Sequence, residues 1–419
     1  MDIVTIGEVL IDLTQTGKDA RGIPQFAANP GGAPANLAVA ASKLGAQTAF
    51  IGKVGADAFG RYLKEVLAES ILGWCRMHRT RSVQPLTFII CSSGDRWVLA
   101  YRIKIRRATM DILTIGEVLI DLTQTGKDER GIPQFAANPG GAPANLAVAA
   151  ARLGAQTAFI GKVGADAFGR YLKEVLAENK VDISGMAVDA DHPTTMAVVS
   201  VDATGERDFS FYRSANADVM LSKEDISDEA LKAAKIVHFG SVSLTADPSR
   251  TATLDAAARA KKLGAVITYD PNYRANLWKN KEDAIAQMKA PLPLVDILKV
   301  SDEELPLLTG TTDCENGTAQ LAQNGIRLIF VTLGANGVFY RFGEKTGHVA
   351  GVPCKVGDTN GAGDTFFGAA LSKLCKEELD TLTVDKLEGI LAFANKAASI
   401  TTSRHGAIPA MPTLAEVEG

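Results

Sequence analysis

The chain has 419 residues, a formal net charge of −4, 46% hydrophobic residues and 22% charged residues, which is the ordinary composition of a globular protein. No apolar run approaches the roughly 18–20 residues of a membrane helix, and the N-terminus lacks the basic and then apolar layout of a secretion signal, so we expect a cytoplasmic protein without a membrane partner. The five cysteines show no C-x-x-C spacing, which argues against a zinc site and a disulfide framework.

The chain begins with a long duplication. Residues 2–69 (the first copy) recur as residues 111–178 (the second copy), at an offset of 109 positions. The copies differ only at Val4/Leu113, Ala20/Glu129, Ser42/Ala151 and Lys43/Arg152. Structural repeats usually have periods of about 20–50 residues and at least three diverged copies, which this pattern does not match. We interpret it as a tandem duplication or a gene-model fusion, in which residues 1–69 are a surplus copy of one enzyme's N-terminal segment.

The segment between the copies, residues 70–110, is strongly basic. It contains eight basic residues and one acidic residue, Asp95, and its sequence shows no nucleic-acid-binding motif. We therefore predict an irregular linker and no nucleic-acid partner.

Residues 111–419 alternate between short apolar runs and segments with helical periodicity. The predicted strands are Ile112–Gly116, Thr157–Ile160, Ile236–Phe239, Val266–Tyr269, Ile297–Val300 and Leu328–Thr332. The predicted helices include Ala142–Leu153, Phe168–Leu176, Thr251–Leu263 and Gly317–Gln323. This alternation predicts an α/β fold with a mostly parallel sheet, helices on both faces, and ligands at the carboxyl ends of the strands.

One region breaks the alternation. Thr195–Val201 and Arg207–Tyr212 flank residues 202–206, whose Gly205 favours a turn between two strands. Together with Leu122–Phe135 they predict a small β-sheet lid, built from residues near 118–137 and 195–213. Such a lid can exclude water from a site at the strand ends.

Two glycine-rich turns precede helices. Gly140 and Gly141 allow close backbone approach, and Asn145 in the following helix can donate and accept hydrogen bonds to a polyol, although a plain helix entry fits equally well. Gly361, Ala362 and Gly363 can form an anion hole at a helix N-terminus. Asp364 beside them would repel a phosphate but can take a proton from an attacking hydroxyl. This arrangement predicts a kinase that acts on an alcohol.

The motifs in this order resemble the ribokinase-like, or PfkB, sugar kinases, and within them the fructokinases, over essentially all of residues 111–419. They are Gly140–Asn145, Tyr269–Arg274 with Leu277-Trp278, Lys299–Glu304, Val331–Gly337 and Asp358–Asp364. The resemblance implies a ribokinase-like fold and ATP-dependent transfer of a phosphoryl group to a sugar, which we expect to be the 6-hydroxyl of fructose. The 2-keto-3-deoxygluconate kinases share much of the second motif and stay an alternative.

The resemblance also implies roles for individual residues. Asp364 matches the catalytic base, and Gly361, Ala362 and Gly363 match the anion hole. The residues that match contacts to the sugar are Asp121, Gly140, Gly141, Asn145, Arg213 and Arg274. The residues that match the nucleotide side are Asn272, Thr332, Gly334, Gly337 and Asn395.

The same resemblance implies binding sites for metal ions. Glu304 matches an acid that acts on Mg²⁺ through water, although Ser301 replaces the usual asparagine of that motif. Asp358 and the backbone near Gly406 match a monovalent cation site. Dependence on K⁺ is left open, because Asn360 stands at a position where the family more often has threonine. We expect ATP and Mg²⁺ as cofactors, and we interpret His405 as a structural or surface residue.

Two alternative functions remain. The duplication could leave an inactive sugar-binding protein, and the resemblance also includes homodimers joined through the lid. A dinucleotide-dependent oxidoreductase is disfavoured because no G-x-G-x-x-G opens a helix after the first strand.

Only one of the two copies can occupy a given place in the main sheet. Placing the first copy there would close a loop of 109 residues, which costs roughly 4 kcal/mol of conformational free energy. We therefore expect the second copy in that sheet, and a first copy that is partly ordered with exposed apolar faces.

Overall fold

The computed structural model describes residues 2–46, 48–55, 57–70, 110–201 and 207–419. The turn predicted at 202–206, and residues 71–109 of the predicted linker, lie outside the described residues. In chain order, the strands are β1 (Ile3–Ile6), β2 (Leu10–Lys18), β3 (Pro24–Gly31), β4 (Thr48–Ile51), β5 (Met110–Ile115), β6 (Leu119–Lys127), β7 (Pro133–Gly140), β8 (Thr157–Gly164), β9 (Val181–Asp182), β10 (Met186–Asp189), β11 (Met196–Val201), β12 (Arg207–Tyr212), β13 (Ala234–Gly240), β14 (Val266–Asp270), β15 (Ile297–Ser301), β16 (Leu328–Thr332), β17 (Val338–Phe342) and β18 (Lys345–Val349).

The α-helices, again in chain order, are α1 (Ala33–Lys43), α2 (Ala58–Ser70), α3 (Ala142–Arg152), α4 (Ala167–Glu178), α5 (Asp228–Ala233), α6 (Ser249–Lys262), α7 (Lys281–Lys289), α8 (Leu305–Thr309), α9 (Cys314–Ala322), α10 (Ala362–Leu374), α11 (Val384–Thr402) and α12 (Leu414–Glu418). Among the described residues, no helix is long and apolar enough to cross a membrane.

Two compact units make up the described chain. The smaller unit contains the described residues up to 70, together with Asp121–Asn138 and Met196–Ser214. The larger unit contains the described residues 110–120, Pro139–Thr195 and Ala215–Gly419.

The larger unit is built on a ten-stranded sheet, in the order β10-β8-β5-β13-β14-β15-β16-β17-β18, with β9 also paired to β8. Neighbouring strands run parallel from β10 to β16, while β17 is antiparallel to both of its neighbours, β16 and β18. The prediction of a mostly parallel sheet is therefore confirmed. Each predicted strand is present and most are one to four residues longer, because backbone pairing continues beyond the apolar run.

Helices cover both faces of this sheet. Because successive side chains of a strand point to opposite faces, neighbouring residues enter different cores. Ile297 packs in a core with α3, α10 and α11, whereas Leu298 packs in a core with α6, α7, α8 and α9. The first of these layers brings α3 and α10 very close, since a Cβ on Gly368 would lie 2.9 Å from the Cβ of Ala149.

The smaller unit contains a six-stranded sheet in the order β12-β11-β6-β7-β3-β2. Four of its strands, β6, β7, β11 and β12, are those predicted for a small separate sheet, and that prediction is confirmed. The other two, β2 and β3, belong to the first copy and were not predicted there. They form an antiparallel pair with each other, and β3 also pairs antiparallel with β7.

The rest of the first copy is less well covered than the same sequence in the second copy. Among the described residues, strand β1 pairs with β4 alone, whereas the equivalent strand β5 lies between β8 and β13. Four apolar residues of the first copy are 51%, 72%, 56% and 89% exposed, namely Val4, Ile6, Leu37 and Leu44. Their equivalents are each 1% exposed, namely Leu113, Ile115, Leu146 and Leu153.

Candidate active site

Asp364 lies in the first turn of α10, where the N-terminus of the helix carries partial positive charge. The helix follows Gly361, which has a left-handed conformation (φ 74°). A Cβ at this position would also lie 2.8 Å from the Cβ of Ala407, so both backbone angle and space require glycine. The turn thus fixes a partly buried carboxylate at a helix N-terminus.

Asn145 is the direct partner of Asp364. It lies in α3, which follows Gly141 (φ 103°), a position where a Cβ would lie 2.5 Å from the carbonyl oxygen of Glu117. Asn145 Nδ2 donates a hydrogen bond to Asp364 Oδ2 at 2.8 Å. Its amide oxygen, Oδ1, is buried and has no hydrogen-bond partner among the described residues. A buried acceptor of this kind beside a carboxylate can receive a hydroxyl donor.

Lys299 places an ammonium group next to this pair. Its Nζ lies 2.9 Å from Asp270 Oδ2, and both side chains are buried. A Cβ on Gly363 would lie 3.2 Å from this Nζ, so the ammonium group also borders the glycine turn. Burial alone would lower the pKa of Lys299, but the carboxylates of Asp270, Glu304 and Asp364 together raise it.

Burial also changes the pKa values of the carboxyl groups in the site. Burial raises the pKa of Asp364 above its ordinary value, and the Asn145 hydrogen bond with the charges of Lys299 and Arg274 offsets part of that rise. Burial, with the nearby charges of Glu304 and Asp364, also raises the pKa of Asp270. Asp364 is therefore a stronger proton acceptor than an exposed aspartate.

Glu304 connects two loops of the site. Its Oε1 accepts a hydrogen bond from the backbone N–H of Tyr273 at 2.6 Å, and its Oε2 accepts one from Ser301 at 2.8 Å. Asn272 has a positive φ of 47°, and its N–H donates to Asp270 Oδ1 at 3.2 Å. These loops line a cavity of about 200 Å³, whose residues are Asn272, Tyr273, Arg274, Lys299, Ser301, Glu303, Glu304 and Leu307.

Four of the five predicted nucleotide-side residues lie near the ends of β16 and β18, whereas Asn272 lies in the loop after β14. Thr332 is the last residue of β16, and Gly334 and Gly337 have φ angles of 56° and 90° in the turn that follows. A Cβ on Gly337 would overlap the carbonyl oxygen of Val349. Asn395 Nδ2 donates to that same oxygen at 3.1 Å and to the Ala350 oxygen at 2.9 Å. Both amide hydrogens of Asn395 therefore hold this backbone in place.

Asp358 joins two loops through its carboxylate. Oδ1 accepts a hydrogen bond from the N–H of Asn360 at 2.9 Å, and Oδ2 accepts one from Gly406 at 3.2 Å. His405, next to Gly406, is exposed. Among the described residues, no group of three or more His, Cys, Asp and Glu side chains could hold a metal ion.

Two predicted sugar contacts belong to the smaller unit. Asp121 lies in β6, and Arg213 directly follows β12. Gly140, at the end of β7, belongs to the larger unit with Gly141, Asn145 and Arg274. The roles of Asp121 and Arg213 stay predictions.

Some buried ionisable groups around these loops were not predicted as site residues. They are Asp270, Lys299 and Glu117, the last of which accepts a hydrogen bond from the N–H of Ala142 at 3.2 Å. A signal was available for Lys299, because a charged residue inside the apolar strand run 297–300 must find a partner when it is buried. Asp270 ends the neighbouring strand and supplies that partner.

Comparison with known proteins gives consistent matches. The family described as pfkB family carbohydrate kinase matches residues 1–111 and again 109–414. Fructokinase-1 of Zea mays is 42% identical over 309 residues, which are 73% of this chain and 96% of that protein. Fructokinase-1 of Oryza sativa subsp. japonica is 41% identical over 309 residues, with the same coverage of 73% and 96%.

Solved structures agree with these sequence matches. The fructokinase with bound ATP from Xylella fastidiosa has a TM-score of 0.69 at 34% identity, covering 74% of this chain and 97% of that chain. The fructokinase from Vibrio cholerae O395 in its fructose, ADP and calcium ion bound form has a TM-score of 0.67 at 34% identity, covering 74% of this chain and 99% of that chain. The chain therefore belongs to the pfkB family of carbohydrate kinases, and within that family it is fructokinase-like.

Proposed function

We propose that the chain is an ATP-dependent fructokinase, in which Asp364 takes the proton from the 6-hydroxyl of fructose. The observation that carries the proposal is the Asn145–Asp364 pair, which places a buried, unpartnered amide oxygen beside a carboxylate of raised pKa. A sugar can satisfy both acceptors, because each of its hydroxyls donates one hydrogen bond. Fructose is favoured over other sugars because the curated relatives named above are fructokinases.

In the proposed reaction, ATP is the co-substrate that supplies the γ-phosphoryl group. Asp364 accepts the hydroxyl proton while the sugar oxygen forms its bond to phosphorus and the bond from phosphorus to ADP breaks. Asn145 orients the Asp364 carboxylate through Oδ2. The turn of Gly361, Ala362 and Gly363, together with the Lys299 ammonium group, stabilises the negative charge that develops on the transferred group.

The nucleotide and its metal are proposed to use the remaining loops. Thr332, Gly334, Gly337 and Asn395 would line the nucleotide, and Asn272 and Arg274 would face its phosphates. Glu304 fits a hydrated Mg²⁺ because each carboxylate oxygen accepts one backbone N–H and keeps a second lone pair for water. When bound, Mg²⁺ neutralises charge on the phosphate oxygens. Asp358, with the backbone near Gly406, is the proposed place for a monovalent cation such as K⁺.

The experiment that tests the substrate is a coupled ADP-release assay over fructose, ribose, 2-keto-3-deoxygluconate and adenosine. We expect the highest kcat/KM with fructose. A higher value with another acceptor would reject fructose while keeping the kinase. Sugar binding in calorimetry without any ADP release would instead support the inactive sugar-binding alternative.

The experiment that tests the base is Asp364→Asn. Turnover should fall by about 10²–10⁴, the usual contribution of general-base catalysis. Because the pKa of Asp364 is raised on folding, this group stabilises the fold at low pH, and that contribution is lost as the pH rises through the raised pKa. Asp364→Asn should therefore melt at no lower temperature at neutral pH. A kcat within tenfold of the parent would mean that another group takes the proton.

A further inference from the structure

The turn of residues 334–337 contains one peptide group that is held at both ends. The N–H of Gly337 donates a hydrogen bond to the carbonyl oxygen of Gly334 at 3.2 Å. The carbonyl oxygen of Asn336, in the same peptide group, lies 2.7 Å from Nε2 of His348. Because a carbonyl oxygen can only accept, this ring nitrogen carries the proton and donates it. The side chain of His348 therefore reaches from β18 to the turn and fixes the direction of this carbonyl.

The other backbone bonds of the turn do not fix that direction. The N–H of Leu333 donates to the oxygen of Gly337 at 2.8 Å, and the N–H of Asn336 donates to the oxygen of Leu333 at 3.1 Å. Glycine adopts positive and negative φ with similar ease, so the peptide group that precedes Gly337 can turn over at little cost. The hydrogen bond from His348 selects one of its two orientations.

The strand that carries His348 is itself held firmly. His348 lies opposite Phe339 in the antiparallel pair of β17 and β18. Beyond it, the carbonyl oxygens of the next two residues, 349 and 350, accept both amide hydrogens of Asn395. A Cβ on Gly351 would overlap the carbonyl oxygen of Ala335, so the chain after β18 also lies directly against the turn. His348 therefore ties the turn to backbone that α11 and β17 already fix.

This turn supplies Gly334 and Gly337 to the proposed nucleotide site, and Thr332 precedes it. Backbone N–H groups attract an anionic ligand such as a nucleotide, whereas a carbonyl oxygen directed at the ligand repels it. We propose that His348 is a positioning residue for the nucleotide, because it holds the Asn336 carbonyl towards β18 and away from the ligand. This inference rests on the proposed nucleotide site and adds to it a side chain that acts through the turn.

The test compares His348→Ala with His348→Gln in the full chain. His348 is exposed, so both substitutions leave the core unchanged. Glutamine carries an amide N–H that can donate the same hydrogen bond, whereas alanine cannot. Isothermal titration calorimetry with ADP should show a Kd that is about three- to tenfold higher in His348→Ala, the size expected for one hydrogen bond. The Kd of His348→Gln should stay close to that of the parent. Lys345→Ala, at an exposed position of the same strand, is the matched control and should bind as the parent does.

Steady-state kinetics separate positioning of the nucleotide from a general loss of structure. In His348→Ala the KM for ATP should rise by the same factor as the Kd for ADP, while kcat and the KM for fructose stay unchanged. Equal rises in both KM values, or a loss that His348→Gln does not restore, would overturn the inference.

The calorimetry also distinguishes this inference from the proposed function on which it rests. A parent chain that binds ADP, with an unchanged Kd in His348→Ala, would overturn the role of His348 alone. A folded parent chain that binds no ADP would reject the proposed nucleotide site and this inference with it.

Discussion

At the scale of single residues, the site is a cluster of three carboxylates around one buried ammonium group, and two of these carboxylates are buried. Asp270, Glu304 and Asp364 all raise the pKa of Lys299. Removing one partner of a buried ion pair leaves an uncompensated charge, so these residues depend strongly on one another. The proposed base is therefore defined as much by Lys299 and Asn145 as by its own position in α10.

The duplication supplies a matched control for Asn145. Asn145→Ala removes a hydrogen bond to a charged, partly buried carboxylate, a loss of about 1.5–3 kcal/mol. We expect kcat/KM for the sugar to fall roughly 10- to 100-fold, since each 1.36 kcal/mol is about a factor of ten. The equivalent change in the first copy, Asn36→Ala, lies at an exposed position and should leave kcat/KM unchanged. Equal losses in both variants would place the first copy in the site.

The pH dependence of kcat/KM tests the electrostatics of Asp364. The base must be ionised, so activity should fall as the pH decreases through its raised pKa. Lys299→Met removes a positive charge that lowers this pKa, so the acid limb should move to higher pH. Lys289→Met, at an exposed position of α7, should leave the limb in place. An acid limb that does not move in Lys299→Met would show that the charge of Lys299 does not affect the pKa of the base.

At the scale of secondary structure, one sequence forms the same elements twice but packs them differently. Both α1 and α3 have eleven residues, begin after a glycine of positive φ, and carry proline in the first turn. Helix α3 packs closely against α10 and buries its leucine, Leu146, whereas the equivalent leucine of α1, Leu37, is exposed. Local signals therefore set the element, whereas its burial depends on a partner that is distant in sequence.

Gly361 tests how the start of α10 positions the base. Gly361→Ala should cost about 1–2 kcal/mol for the left-handed backbone, and the contact with Ala407 should shift the first turn of the helix. We expect lower thermal stability and lower kcat. Gly325→Ala has a similar φ of 87° but no heavy atom within 4 Å of the added Cβ, so it should lower stability alone. Unchanged kcat in Gly361→Ala would show that this turn does not position Asp364.

At the scale of the whole molecule, the α/β fold, its main strands and the small sheet were predicted from the sequence. An apolar run such as 328–332 indicates a buried strand by itself, and five motifs in order identify the family. Pairing of β3 with β7 could not be predicted in this way, because both strands have the same sequence and no local pattern selects their partner. The charge of Lys299 inside an apolar strand run indicates a buried partner, but the sequence does not say which residue this partner is, and the structure shows Asp270.

Deleting residues 1–109, so that Met110 begins the chain, should leave an active kinase. The curated relatives align over 309 residues with 96% of their length, and every proposed site residue lies after position 109. The check is the coupled ADP-release assay, with circular dichroism to verify folding. Loss of activity in a folded product would mean that the first copy contributes to catalysis.

The two copies also present the same sequence in two different environments within one molecule, so that one copy can serve as a reference for the other. Leu37 and Leu146 have the same neighbours in sequence, yet one is 56% exposed and the other 1% exposed. A substitution made at each position in turn reports the same side chain without and with its tertiary environment, in one solution and at one temperature. The difference in unfolding free energy between the paired variants isolates what packing adds to local helix propensity, a separation that usually requires a peptide and a protein measured apart.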